Sequence, residues 1–143
     1  MKKIKNIILM LFVSLIFISC ATAPLTGRRQ IKFVSDESVV QSSVAQYNQM
    51  IAQLRANNLL ANNTAQGKRV AQIGRRVTGA VEKYLRENGI ADKLQYLNWE
   101  FNLINTKDIN AFALPGGKIA FYSGILPVLQ TDGAIAFVMG HEI

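Results

Sequence analysis

Apolar residues recur at steps of three and four through the first two thirds of the chain and at steps of two in part of the remainder. Val40, Val44, Tyr47, Ile51 and Leu54 share one side of a helix predicted from Asp36 to about Asn57, with Ser35 or Asp36 placed to cap its first turn. Asn57, Asn58, Asn62 and Asn63 mark a break around Leu59-Leu60. A second helix, from about Thr64 to Asn88, gathers Val70, Ile73, Val77, Val81 and Tyr84 or Leu85 on its apolar face and stops at Gly89. The period then shortens. Leu97 to Ile104 alternates over most of its length, with Trp99, Phe101 and Leu103 on one side, as a half-buried strand does. Asn105 to Asp108 is a turn by composition, Ile109 to Leu114 a second strand, and Pro115-Gly116-Gly117 a turn into a third, Lys118 to Tyr122. A short helix, Ile125 to about Gln130, holds Pro127 in its first turn. Thr131 or Asp132 caps the last helix, to which Ala134, Ile135, Phe137 and Val138 give apolar surface. The pattern predicts an α+β fold: N-terminal helices, then a β-hairpin or small antiparallel sheet, then the start of one more helix.

Composition gives the chain an address. Half of its 143 residues are hydrophobic, which suits one domain or part of one. Lys2, Lys3 and Lys5 precede an apolar run from Ile7 to Ile18. That run fits the roughly 7–15 residues of a secretory signal core and falls short of the roughly 20 that span a bilayer. Residues 1–19 therefore read as a signal peptide, with an N-terminal anchor helix as the alternative. Phe17-Ile18-Ser19-Cys20 resembles a bacterial lipobox, although Phe17 stands where leucine is usual. Cys20 is the only cysteine, so no intramolecular disulfide forms. The resemblance implies lipid attachment at Cys20, where several acyl chains, palmitate among them, anchor more stably than one. Cleavage a few residues later, which discards Cys20, is the other reading. Residues 20–35 then form a lipidated tether, with a brief extended segment at Ile31 to Val34, and residues 36–143 the folded part. The expected location is the periplasmic side of a bacterial cell envelope. Ala21 lacks the aspartate that retains some lipoproteins at the inner membrane, which favours the outer one.

Three of the seven net positive charges lie in the leader, leaving +4, spread out and without interleaved aromatic residues, so nucleic acid is not an expected partner. Lys68, Arg69, Arg75, Arg76, Lys83 and Arg86 form a basic stripe opposite the apolar face of the second helix. It reads as a solvated face or as a lipid- or partner-binding one.

The candidate chemistry is at His141-Glu142. In the HExxH arrangement two histidines four apart bind Zn²⁺ on one face of a helix and the adjacent glutamate activates the attacking water. A His-Glu pair alone equally suits a surface histidine. Here the second histidine would lie two positions beyond Ile143, so the chain is expected to be a truncated piece carrying the first half of such a site.

Two segments together resemble a known family: Asn110 to Ile119 (NAFALPGGKI) with Tyr122 to Leu126 (YSGIL), followed by His141-Glu142-Ile143. They are similar to the HtpX and CAAX-prenyl-protease family of zinc metallopeptidases, in a lipoprotein branch resembling the mitochondrial protease Oma. Arg28-Arg29-Gln30 and Trp99-Glu100-Phe101 are similar to that branch too. The resemblance implies a zincin-type fold with one Zn per site in the full-length protein. His141 would be its first ligand and Glu142 the general base. The strand Asn110, Ala111, Phe112 and Ala113 would bind an extended substrate by β-augmentation, the small alanines admitting its backbone. Ordinary hairpin packing, with Phe112 and Leu114 in the core, is the alternative. The expected function is that of an N-terminal fragment of a membrane-anchored zinc endopeptidase in envelope protein quality control, acting on protein or peptide substrates. With one imidazole against the three or four ligands zinc needs, the fragment itself is expected to be inactive and to bind no stoichiometric zinc. A non-enzymatic envelope lipoprotein, a peptide-binding remnant or decayed gene, is the other reading.

Overall fold

The computed structural model describes residues 20–22, 29–31 and 36–143. The chain divides into two units, Met1–Ser35 and Asp36–Ile143. In the first, β1 (Cys20–Thr22) pairs antiparallel with β2 (Arg29–Ile31), Cys20 opposite Ile31. The stretch read as a tether thus contains a two-stranded ribbon. The leader at 1–19, the Ser35 cap and residues 32–34 lie outside the described residues.

The second unit starts with α1 (Asp36–Ala56), which buries Tyr47 and Ile51 and half-buries Val40, Val44 and Leu54, the face its spacing predicts. In α2 (Ala65–Glu87) the Thr64 hydroxyl accepts the Gly67 N–H at 3.1 Å, satisfying one of the first-turn donors. Gly89, at φ 72°, ends that helix in the left-handed region. Val70 and Ile73 are buried on α2, as is Gly74, where a Cβ would run into the Phe101 ring. A side chain there would push the helix off the sheet.

Three strands, β3 (Glu100–Ile104), β4 (Ala111–Leu114) and β5 (Lys118–Tyr122), form a sheet in the order β3-β5-β4. β4 and β5 make the expected antiparallel hairpin, turning at Gly116 (φ 93°) and Gly117 (φ 77°). β3 runs parallel to β5, so the α+β class holds but the sheet is mixed and not wholly antiparallel. The reason is position: the chain leaves β3, passes to the far side for β4, and β5 fills the gap. Buried from Lys118 through Phe121, β5 takes the centre, where both faces are covered.

On one face Leu103, Ala111, Ile119 and Phe121 join Val70 and Ile73 of α2 and Ile135 and Met139 of the last helix, α4 (Asp132–Glu142), in a single core. A 3₁₀ turn (Ser123–Ile125) and α3 (Leu126–Leu129), with Pro127 in its first turn, lead into α4. The other face meets α1: Asn102 donates to the Tyr47 hydroxyl at 2.5 Å and is only 3% exposed. The half-buried reading of β3 is therefore corrected, because α1 covers the side left to solvent by the alternation. The outer edge of β3 is tied to the preceding loop by Ala61 N–H to Leu103 C=O (2.8 Å) and Asn105 N–H to Leu59 C=O (2.7 Å). Among the described residues no helix is long and apolar enough to cross a membrane.

Candidate active site

Helix α4 carries the two residues singled out for chemistry, and its seating decides where they point. The Thr131 hydroxyl accepts the Ala134 N–H at 3.1 Å, and Arg69 of α2 pairs with Asp132 at 2.6 Å. Ile135 and Met139 are fully buried, whereas Phe137 is 78% exposed. His141, four residues past Phe137, follows it on the exposed stripe. Glu142, three past Met139, lies half-buried at the margin of the packed stripe. There it lines a cleft of about 260 Å³ with Trp99, Ala113, Leu114, Pro115, Gly117 and Ile143. Glu142 and the end of β4 are thus brought together, and His141 stands outside that lining.

The proposed docking strand is at the open edge of the sheet, hydrogen-bonded to β5 alone. Asn110 is exposed; its backbone C=O accepts the Tyr122 N–H at 3.0 Å, and its side-chain oxygen accepts the Ala111 N–H at 2.9 Å. With Ala111 opposite Phe121, that first bond sets the ladder: Asn110, Phe112 and Leu114 turn their backbone groups to β5, and Ala111 and Ala113 turn theirs outward. The side chains are arranged differently from either reading of the sequence. Ala111 is in the core and Ala113 packs against it, so their small size lets α4 close over the hairpin. Phe112, on the opposite face, is tilted 58° against the Tyr122 ring at 6.1 Å. Cys20 is in β1 of the N-terminal unit.

Sequence reasoning missed a polar network beneath α1. Asn102 donates to Tyr47 Oη (2.5 Å) and to Glu100 Oε1 (2.9 Å) and accepts from Asn62 Nδ2 (2.5 Å). Asn62 Oδ1 in turn accepts the Leu103 N–H at 2.8 Å. Lys118, 4% exposed, donates to the Asn98 carbonyl at 2.8 Å and lies 3.4 Å from Glu100. Burial pushes the Tyr47 hydroxyl up to about 12; the Asn102 bond pulls against it and the Glu100 carboxylate adds to it. The available signal was Lys118 itself, a charge opening an otherwise apolar strand. Trp99 was seen as strand, not as a wall of the cleft.

His141 is the only histidine of the chain, and among the described residues no three His, Cys, Asp or Glu side chains converge as a metal site would need. The residues present do not complete a zinc site on their own.

Residues 68–143, from α2 through the sheet to α4, match peptidase family M48. The chain belongs to this family of zinc metallopeptidases. It is similar to the mitochondrial metalloendopeptidase OMA1 of Bos taurus, 25% identical over 134 residues that cover 94% of this chain and 24% of that protein. It is 45% identical over 51 residues to mitochondrial metalloendopeptidase OMA1 of Saccharomyces cerevisiae, covering 34% of this chain and 15% of that protein. Metalloprotease YcaL of Escherichia coli is 23% identical over 144 residues, covering 90% of this chain and 51% of that protein. The chain spans about a quarter of the length of the bovine relative and about half that of the Escherichia coli one. No solved structure matches it.

Proposed function

We propose that the full-length protein is a zinc-dependent endopeptidase, tethered by lipid on Cys20 to the periplasmic side of a bacterial envelope, at the outer membrane. There it cuts misfolded or membrane-associated proteins presented as extended chains. The observation that carries this reading is the cleft shared by Glu142 and the free edge of β4. His141 supplies one zinc ligand, and the remaining ligands come from residues outside this chain. Glu142 takes a proton from the attacking water and passes it to the leaving amine. The backbone of the Asn110 to Ala113 strand holds the substrate beside it.

Full-length protein is expected to cleave casein, with activity abolished by a chelator and by Glu142→Gln. Intact casein, or equal cutting by the Glu142→Gln variant, refutes the assignment. The 143-residue chain, with one imidazole, is expected to bind no stoichiometric zinc and to leave casein uncut. Cys20→Ala is expected to release the protein from membranes; unchanged membrane retention counts against the anchor.

A further inference from the structure

The open margin of β4 is closed at both ends. Outward-facing backbone groups belong to residues 111, 113 and 115, because the ladder alternates. The Ala111 N–H is taken by the Asn110 side chain, and the third position is Pro115, which has no N–H. What remains is the C=O of Ala111 with the N–H and C=O of Ala113, and the described residues make no hydrogen bond to that Ala113 pair. Ala113 is also the strand residue that shares the cleft with Glu142.

We propose that Asn110 acts as a register stop. By filling the Ala111 N–H from within the chain, it confines a bound peptide to three backbone groups and fixes which peptide residue is set beside Glu142. The proposal rests on the endopeptidase reading and sharpens it. A strand can slide along a uniform ladder by two residues, about 6.6 to 6.8 Å, and present the same pattern of donors and acceptors. Only a break in that ladder distinguishes one register from the next. Here the break is supplied by the Asn110 amide at one end and by Pro115 at the other. The substrate class is an extended, unfolded segment recognised over a short stretch through its main chain, with tolerance for side-chain sequence.

The test is a map of cut sites in unfolded casein, read by mass spectrometry at equal extents of digestion with full-length protein. Asn110 is exposed, so its variants are expected to fold as the parent does. Asn110→Ala frees the Ala111 N–H and is expected to raise cuts displaced by two residues, relative to parental cuts, about 2- to 10-fold, the range that one net hydrogen bond gives. Asn110→Asp keeps an acceptor oxygen and is expected to restore the parental map. The same map for parent and Asn110→Ala overturns the register stop, as does a uniform loss of cutting with the map unmoved. No cutting by the parent, or cutting that survives Glu142→Gln, instead overturns the endopeptidase reading beneath it.

Discussion

Replacing Asn102 by alanine isolates the polar network on which α1 is seated. Its amide makes three side-chain hydrogen bonds, to Tyr47, Glu100 and Asn62. The losses differ in weight. The Glu100 side chain is 41% exposed and Asn62 half-buried, so water replaces much of what they lose. Tyr47 is fully buried, so its hydroxyl loses this partner where water does not reach. A stranded buried polar group costs about 1–3 kcal/mol, and the unfilled volume brings the expected total to about 2–4 kcal/mol. That is a large part of the roughly 5–15 kcal/mol that holds a domain together. It corresponds to a fall in Tm of roughly 10 °C or more. The assay is urea unfolding followed by circular dichroism, with the midpoint lowered and the slope unchanged. Tyr47→Phe with Asn102→Leu removes both partners, and the pair is expected to cost at least about 1 kcal/mol less than the two single changes added together. A single-variant cost under about 0.5 kcal/mol, typical of a surface change, or strict additivity in the pair, refutes the reasoning.

Three further outcomes are expected. Because Tyr47 holds its proton more tightly folded than unfolded, its contribution is complete below pH 10 and is lost as pH rises towards 12; Tyr47→Phe should flatten that part of a pH–stability curve relative to the parent. In Gly124→Ala the new Cβ meets the backbone carbonyls of Lys107 and Asp108, which cannot move like a side chain, and thermal melts should show a loss of about 1–3 kcal/mol. Phe137→Ser removes a ring with most of its surface in water, so light scattering should show less self-association while the melting temperature stays within about 2 °C.

The helices were legible because their burial follows their spacing. Val40, Val44, Tyr47, Ile51 and Leu54 form one stripe, and Thr64 and Gly89 bound α2, by chemistry that is local to each position. The hairpin was legible for the same reason, since its turn needs the left-handed conformation that Gly116 and Gly117 supply. Strand order was not, because nothing within β3 encodes that β4 will pass to the far side and leave β5 between them. Asn102 read as outward-facing since alternation separates two faces without saying that both are covered. On α4 the sequence offered Ile135 and Phe137 alike as apolar surface, yet only Ile135 is buried; which side faces the sheet depends on where α2 stands. At the site, the His-Glu pair and the Asn110 strand were both visible, while the outward turn of the Ala111 and Ala113 backbone depended on the ladder with β5.

The brevity of β4 has a consequence for how the molecule keeps to itself. Bare strand borders recruit further copies into growing fibrils, and proteins blunt them with short length, proline or bulges. A four-residue border, plugged at one terminus by an amide and blunted at the other by a pyrrolidine ring, leaves a foothold too narrow for stacking without end. The same dimensions that keep this margin accessible keep it from becoming a seed.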